Sequence, residues 1–238
     1  MLCCSIALAV SACQSHTGGR EQQKEQATGE TTASTATPPQ QSENRPAAVA
    51  LYNDGYRAFQ QGDYAKAVSL YRQSIAADPT YTDAYDNCGL CFRRLGQLDS
   101  AKAYYRRSIA LRPELTTAHM NLGVVYMAQQ QPDSALAEYR QIVRYDPAEP
   151  ESYYGMADVY LQTGPPDSAL KYALLAKERY AASKDRKQFA ADAEYYIGLA
   201  HYQKGNKQKA GTHMQEALNQ GAQVPEKFQA ELKLNRLH

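Results

Sequence analysis

The chain has 238 residues, 43 % apolar, 10 % aromatic and 21 % charged, and its 26 Lys and Arg against 25 Asp and Glu leave a formal net charge of +1. A balance that close to zero lacks the concentrated basic field that a phosphate backbone demands, which excludes nucleic acid as a partner. No Gly-rich phosphate loop, paired-histidine metal motif or nucleophile elbow occurs, so neither an enzyme nor a cofactor or catalytic metal is expected.

The first element in chain order is the apolar run Ile6-Ala7-Leu8-Ala9-Val10, followed by Ser11-Ala12-Cys13. It is too short to span a bilayer as a helix. A small residue before a cysteine resembles the lipobox of bacterial lipoproteins. That resemblance implies a signal peptide over residues 1–12 and a mature chain that begins at a lipidated Cys13. Each buried methylene adds about 0.8 kcal/mol, so two or three acyl chains would hold a soluble domain at a membrane durably. Gln14 is not the aspartate that, in the enterobacterial sorting rule, retains lipoproteins in the inner membrane, so the resemblance implies the outer membrane, periplasmic side. Met1-Leu2-Cys3-Cys4 carries no Lys or Arg of the kind that usually opens a secretory signal. This leaves two alternatives, a translation start upstream or a polar tail on a cytosolic protein.

Residues 14–46 contain no Leu, Ile, Val, Met or aromatic residue and cannot bury a core. The segment over residues 13–47 reads as a disordered polar tether whose ends lie on average about 30 Å apart.

From Ala48 onward a constant 34-residue step takes over. Gly55, Gly89 and Gly123 recur at it, as do Ala67, Ala101, Ala135 and Ala169, then Pro79, Pro113 and Pro147, with Tyr71, Tyr105 and Tyr139 in the same register. In the second copy Tyr85, Cys88, Gly89 and Phe92 are spaced along one helix that Gly96 ends. Leu98, Ala101, Ala103, Tyr105 and Ile109 form the stripe of a second helix that stops at Pro113. Glycine inside a helix costs about 1 kcal/mol against alanine, so its recurrence calls for a close approach, expected where Gly89 meets Ala101. Asp63 offers an N-cap, and Pro132 and Pro166 sit at helix starts where the missing N–H is no loss.

This pattern resembles the tetratricopeptide repeat, with Leu51 to Gly55, Gly62 to Tyr64, Ala67 and Asp78-Pro79 as its best copy. The resemblance implies an all-α fold, a right-handed superhelical solenoid of antiparallel helix pairs with about five units plus a C-terminal capping helix. The units fall at residues 48–81, 82–115, 116–149, 150–183 and 191–222, together a solenoid over 48–222. The fourth copy departs, with Ala157 for the glycine and Ala173 for the tyrosine. The fifth, marked by Ile197, Gly198, Gly205, Ala210 and Ala217, follows an insertion near residues 181–190 that reads as longer helices around the charged turn Lys184 to Lys187. Residues 223–238, with Phe228 and Leu232 on one side, read as the cap that closes the last exposed face.

Cys88 and Cys91 spell Cys-Gly-Leu-Cys, yet the motif lies mid-helix, away from the helix N-terminus that activates a thiol, so both read as buried structural thiols, with a helical disulfide as the alternative. His119, His201 and His213 are scattered singly and form no metal set. His119 takes the place of Tyr85 and Tyr153 and reads as packing. Arg93-Arg94 and Arg106-Arg107 read as solvated helix face.

In the tetratricopeptide family the first helices of successive repeats line a concave groove. Residues placed there by register are Tyr52, Asn53, Tyr56 and Phe59; Asp86, Asn87, Leu90, Arg93 and Arg94; Met120, Asn121, Val124 and Met127; Tyr154, Asp158 and Leu161; and Tyr195, Tyr196, Leu199 and Tyr202. Aromatics and methionine supply contact area and adaptable packing. Asn53, Asn87 and Asn121 form a ladder at the 34-residue step, either simple family consensus or amides suited to pair with the backbone of an extended peptide. The expected function is a membrane-anchored scaffold that binds a peptide or partner helix of another protein in assembly of a cell-envelope complex. In outline it resembles the repeat lipoproteins of outer-membrane protein assembly and pilus secretin assembly. The alternatives are a thiol-active or metal-binding accessory protein using Cys88 and Cys91, and a cytosolic adaptor of the same fold.

Overall fold

The computed structural model describes residues 44–234. Cys13, the signal residues and all but the end of the tether lie outside this range.

Eleven α-helices and one 3-10 turn follow one another, with no strand among the described residues. They are α1 (Arg45–Gln60), α2 (Tyr64–Ala77), α3 (Thr82–Arg94), α4 (Leu98–Leu111), α5 (Thr116–Ala128), α6 (Pro132–Tyr145), α7 (Pro150–Thr163), α8 (Pro166–Ala182), the 3-10 turn Lys187–Phe189, α9 (Ala190–Gln203), α10 (Lys207–Asn219) and α11 (Glu226–Leu234). Each odd helix from α1 to α9 packs on the even helix after it, and each pair leans on the next. The odd helices also touch across pairs, α1 with α3, α3 with α5, α5 with α7 and α7 with α9, whereas the even ones do not. The stack is therefore tighter on its odd side, and the face lined by α1, α3, α5, α7 and α9 is the inner one.

The helix boundaries follow from local chemistry. The Asp63 carboxylate accepts the Lys66 backbone N–H at 3.0 Å and opens α2. Pro132 and Pro166 are the first residues of α6 and α8. The turn inside each pair needs one residue in the left-handed region. Glycine supplies it at 62, 96, 164 and 205, but in the third pair it is Gln130, at φ 58°. The first helix begins at Arg45, earlier than residue 48, with Pro46 in its first turn. Arg45 also ties this start to the next pair, through an ion pair with buried Asp78 at 2.7 Å and a guanidinium 4.8 Å from the Tyr81 ring centre.

The repeating glycine makes room for a tyrosine ring. A Cβ at Gly55 would stand 2.8 Å from the Tyr71 ring, one at Gly89 2.8 Å from Tyr105, and one at Gly123 2.5 Å from Tyr139. Among the nearest atoms to Gly89, all belong to Tyr105 and none to Ala101, which differs from the expected glycine–alanine contact. Tyr139 is held from both sides, since Gly155 of the next odd helix also lies against its ring, at 2.8 Å. The fourth copy now makes sense: with Ala173 at the tyrosine position no ring needs the space, and Ala157 keeps its methyl. Tyr196 and Ile197 pack there instead. In the fifth copy Gly198 faces Met214.

A second recurring contact anchors the loops. The hydroxyls of Tyr85 and Tyr153 donate to the carbonyls of Pro79 and Pro147 at 3.2 and 2.9 Å. His119 does the same through Nε2 to Pro113 at 2.8 Å, while Nδ1 meets Glu138 at 2.7 Å. Burial works against the imidazolium, yet the bonds to Glu138 and Pro113 outweigh it and raise the His119 pKa. His119 is thus a packing and loop-holding residue, as its register implies.

The insertion differs from the expectation of two lengthened helices. Only α8 is extended, to 17 residues against 14 for α9. The charged turn is fastened by Arg186, which reaches Glu149 and Glu151 at the start of α7, each at 2.6 Å. Beyond α10, Phe228 of α11 is buried against Tyr195 and Tyr202.

Gly89→Ala will lower stability by about 1–3 kcal/mol through overpacking against Tyr105, despite the better helix propensity of alanine. Ala157→Gly, with no ring to relieve, will cost the propensity term of about 1 kcal/mol together with about 0.8 kcal/mol for the buried methyl. Urea unfolding of the two variants followed by circular dichroism checks both.

Candidate groove on the odd helices

The inner face is built from side chains one turn apart on the odd helices. Leu90, Met120, Val124 and Met127 are half-buried there, and Tyr56 and Phe59 extend the apolar strip onto α1. Tyr52 turns inward to pack on the rings of Tyr71 and Tyr81, at 5.5 and 5.3 Å between centres.

The asparagines do not form a free ladder. Asn87 Nδ2 donates to the Tyr52 hydroxyl and to the Asp83 carbonyl, both at 3.0 Å. Asn121 is turned toward the Asp86 carboxylate. Two of the three amides therefore join neighbouring repeats, and Asn53, on the first odd helix, is the exposed one.

The C-terminal part of the face is occupied by its own side chains. Tyr196 is buried and stacks on Tyr154 at 4.2 Å, so it does not line the groove as its register suggests. Its hydroxyl donates to Asp158 Oδ1 at 3.0 Å, and Gln162 donates to Oδ2 at 2.8 Å, so both oxygens of Asp158 are engaged. Phe228 meets Tyr195 and Tyr202 edge-on, with ring centres 6.3 and 5.3 Å apart, and closes this end. Leu161 and Leu199 remain half-buried beside them.

Asp86 is the exception among the groove carboxylates. Its Oδ1 is sealed from solvent and has no hydrogen-bond partner among the described residues. Burial pushes its pKa up to about 6, while the hydrogen bonds of Thr117 and Asn121 and the charge of Arg112 pull the other way and Asp83 adds repulsion. Arg112 is itself held by Asp83 at 2.9 Å. Two turns along α3, Arg93 and Arg94 are half-buried, each with a sealed Nε that lacks a hydrogen-bond partner, which is not the solvated face expected of them. Arg106 reads differently again: it donates to the Tyr126 hydroxyl at 2.8 Å.

The thiols carry no chemistry in this setting. Cys88 and Cys91 are free and fully buried, and burial pushes each thiol up to about 12, far from the thiolate that nucleophilic or metal chemistry needs. The structure does bring together what the sequence leaves apart: His201 and His213 stack at 5.3 Å, and His213 Nδ1 meets Glu194 at 2.8 Å. Two histidines 12 positions apart on different helices give no periodic signal, so only the pairing of α9 with α10 reveals them. No group of three or more metal-ligating side chains forms among the described residues.

Asp86 sets a pH dependence of stability. Its folded pKa lies above the ordinary value of 3.8, so the fold prefers the protonated form. The native state keeps that advantage below about pH 4 and loses it as pH rises through about 6. Asp86→Asn will therefore stabilise the protein at pH 7.5 by about 1–2 kcal/mol and flatten the stability profile between pH 4 and 6. Thermal melts across that range check the sign.

Three comparisons bear on this architecture. A tetratricopeptide repeat model matches residues 89–141, 120–184 and 175–225, and a second repeat model of the same kind matches residues 55–96. Among solved structures, a crystal structure of MamA is similar with a TM-score of 0.62 at 20 % identity, covering 75 % of this chain and 98 % of that one. MamA from Desulfovibrio magneticus RS-1 gives 0.63 at 17 %, covering 73 % and 94 %. YrrB, described as a TPR protein with an unusual peptide-binding site, gives 0.56 at 20 %, covering 73 % and 86 %. At these identities the likeness concerns the fold. No curated protein matches the sequence.

Proposed function

Because the chain belongs to the tetratricopeptide repeat family, we propose that it is a protein-binding scaffold whose odd-helix groove holds a peptide or a partner helix. In this reading Cys13 anchors it to a bacterial envelope membrane, with the outer membrane facing the periplasm as its site, and it serves assembly of an envelope complex.

The observation that carries the scaffold reading is the midsection of the groove. Leu90, Met120, Val124 and Met127 stay only half-buried along a face that no other described helix covers. A contiguous apolar strip of this kind marks an interaction surface, and methionine lets it adapt to its guest. The fold likeness to YrrB, whose description names a peptide-binding site, is consistent with a peptide as the guest. A thiol-active role finds no support, since Cys88 and Cys91 are buried with depressed acidity. The anchor rests on the sequence around Cys13 alone. No described helix is long and apolar enough to cross a membrane.

Mild crosslinking in native membranes followed by purification tests the scaffold. The double variant Leu90→Glu, Val124→Glu will lose at least tenfold of the co-purified protein while keeping its helical circular dichroism, because each introduced carboxylate must be desolvated on binding. An unchanged set of partners would remove the groove from the function. Mass spectrometry of the N-terminal peptide tests the anchor: a chain that begins at an acylated Cys13 is expected, and an unmodified N-terminus assigns the protein to the cytosol.

A further inference from the structure

Three carboxylate oxygens in the described residues are sealed from solvent without a hydrogen bond: Asp78 Oδ2, Asp86 Oδ1 and Glu194 Oε2. Two of them are met by a cation. Arg45 stands 2.7 Å from Asp78 Oδ2, and Lys177 stands 2.6 Å from Glu194 Oε2. No ion pair among the described residues serves Asp86. A desolvated carboxylate without a cation is a standing cost to the fold. This one lies on the inner face, between α3 and α5, beside the apolar strip of Leu90 and Met120.

The surroundings of Asp86 have a definite polarity. Asp83 lies close enough to repel it, and the nearest base, Arg112, is committed to Asp83 at 2.9 Å. Two turns toward the helix C-terminus, about 10 Å away at 1.5 Å per residue, Arg93 lies beside the Tyr105 hydroxyl. The two are hydrogen-bonded to each other, and Tyr105 is fully buried. Along α3 a carboxylate without a cation thus lies at one end, and a base already engaged within the chain lies at the other. The helix dipole explains an acid in the first turn, Asp83, and bases in the last, Arg93 and Arg94. It does not explain Asp86, which lies beyond the first turn.

We propose that Asp86 is the specificity-determining residue of the groove and receives a lysine or arginine side chain of the bound partner segment. The proposal rests on the scaffold reading above and gives its guest a chemistry. A cation over Asp86 completes in the complex the arrangement that Arg45 gives Asp78 and Lys177 gives Glu194 within the chain. A pair desolvated on binding discriminates strongly, because a guest without the cation leaves the carboxylate buried and alone.

The test uses the full chain and an array of synthetic dodecapeptides built from apolar and neutral residues, with a central position of lysine, arginine, norleucine or glutamate. Peptides with central lysine or arginine are expected to be retained at least tenfold better than their norleucine or glutamate counterparts. Asp86→Asn, which keeps the shape and removes the charge, is expected to abolish that preference while norleucine peptides bind within twofold of the parent. Loss of folding does not confuse the result, since this variant is expected to be the more stable one. If lysine peptides bind Asp86→Asn as well as the parent, or if the array shows no charge preference, the inference is overturned. Where retention is then still lost in Leu90→Glu, Val124→Glu, the scaffold reading stands without it. Where that double variant also retains the same peptides, both fail.

Discussion

The contact on which the rest of the structure depends is a tyrosine ring laid directly on a helix backbone. Tyr71, Tyr105 and Tyr139 each occupy the space where the Cβ of Gly55, Gly89 or Gly123 would stand. This lets the two helices of a pair approach closely around a large, rigid side chain. In the third pair the ring also supports the next repeat, where Tyr139 is clasped by Gly123 and Gly155. Because Tyr139 serves both its own pair and the following one, pairing and stacking are coupled there, and α5 and α7 are drawn together on the inner face. A repeat that cannot bury its hydrophobic side alone gains its stability from such shared contacts.

The groove inherits its character from this arrangement. Stacking uses up the polar groups that lie between neighbouring odd helices: Asn87 on Tyr52, Asn121 on Asp86, Tyr196 on Asp158. What remains for a guest is a half-buried apolar strip in the midsection, bounded by the closed end at Phe228 and punctuated by the polar groups of α3 that stacking does not satisfy. Repetition builds the surface, and departures from repetition give it chemistry. Asp86 stands where the neighbouring copies carry Tyr52, Met120 and Tyr154, and it is the only one of these four to bring a charge.

Departures elsewhere have structural answers. His119 replaces a tyrosine and keeps the bond to the proline carbonyl six residues back, adding Glu138 as a second partner. Ala157 and Ala173 change together because the methyl of one is allowed only when the ring of the other is gone. The insertion lengthens α8 and is secured by Arg186 on Glu149 and Glu151, which keeps the fourth and fifth pairs joined despite the broken register.

The sequence by itself determined the architecture. Periodic glycine, alanine, tyrosine and proline report steric requirements that hold in every copy, so Gly89, Asp63, Pro132 and Pro166 could be placed before any coordinates. Burial of Cys88 and Cys91 was legible for the same reason, since both lie on the apolar stripe of their helix. The tertiary structure alone decided which inward positions remain available. Register put Asn87, Asn121, Tyr196 and Asp158 in the groove without saying that each meets a side chain 35 to 38 residues away. It gave no sign that His201 and His213 stack. It marked Arg93 and Arg94 as solvated, although their Nε atoms are sealed. The physical reason is common to all: helical periodicity fixes the direction of a side chain, but whether a polar group is satisfied depends on the neighbour it finds across the next helix.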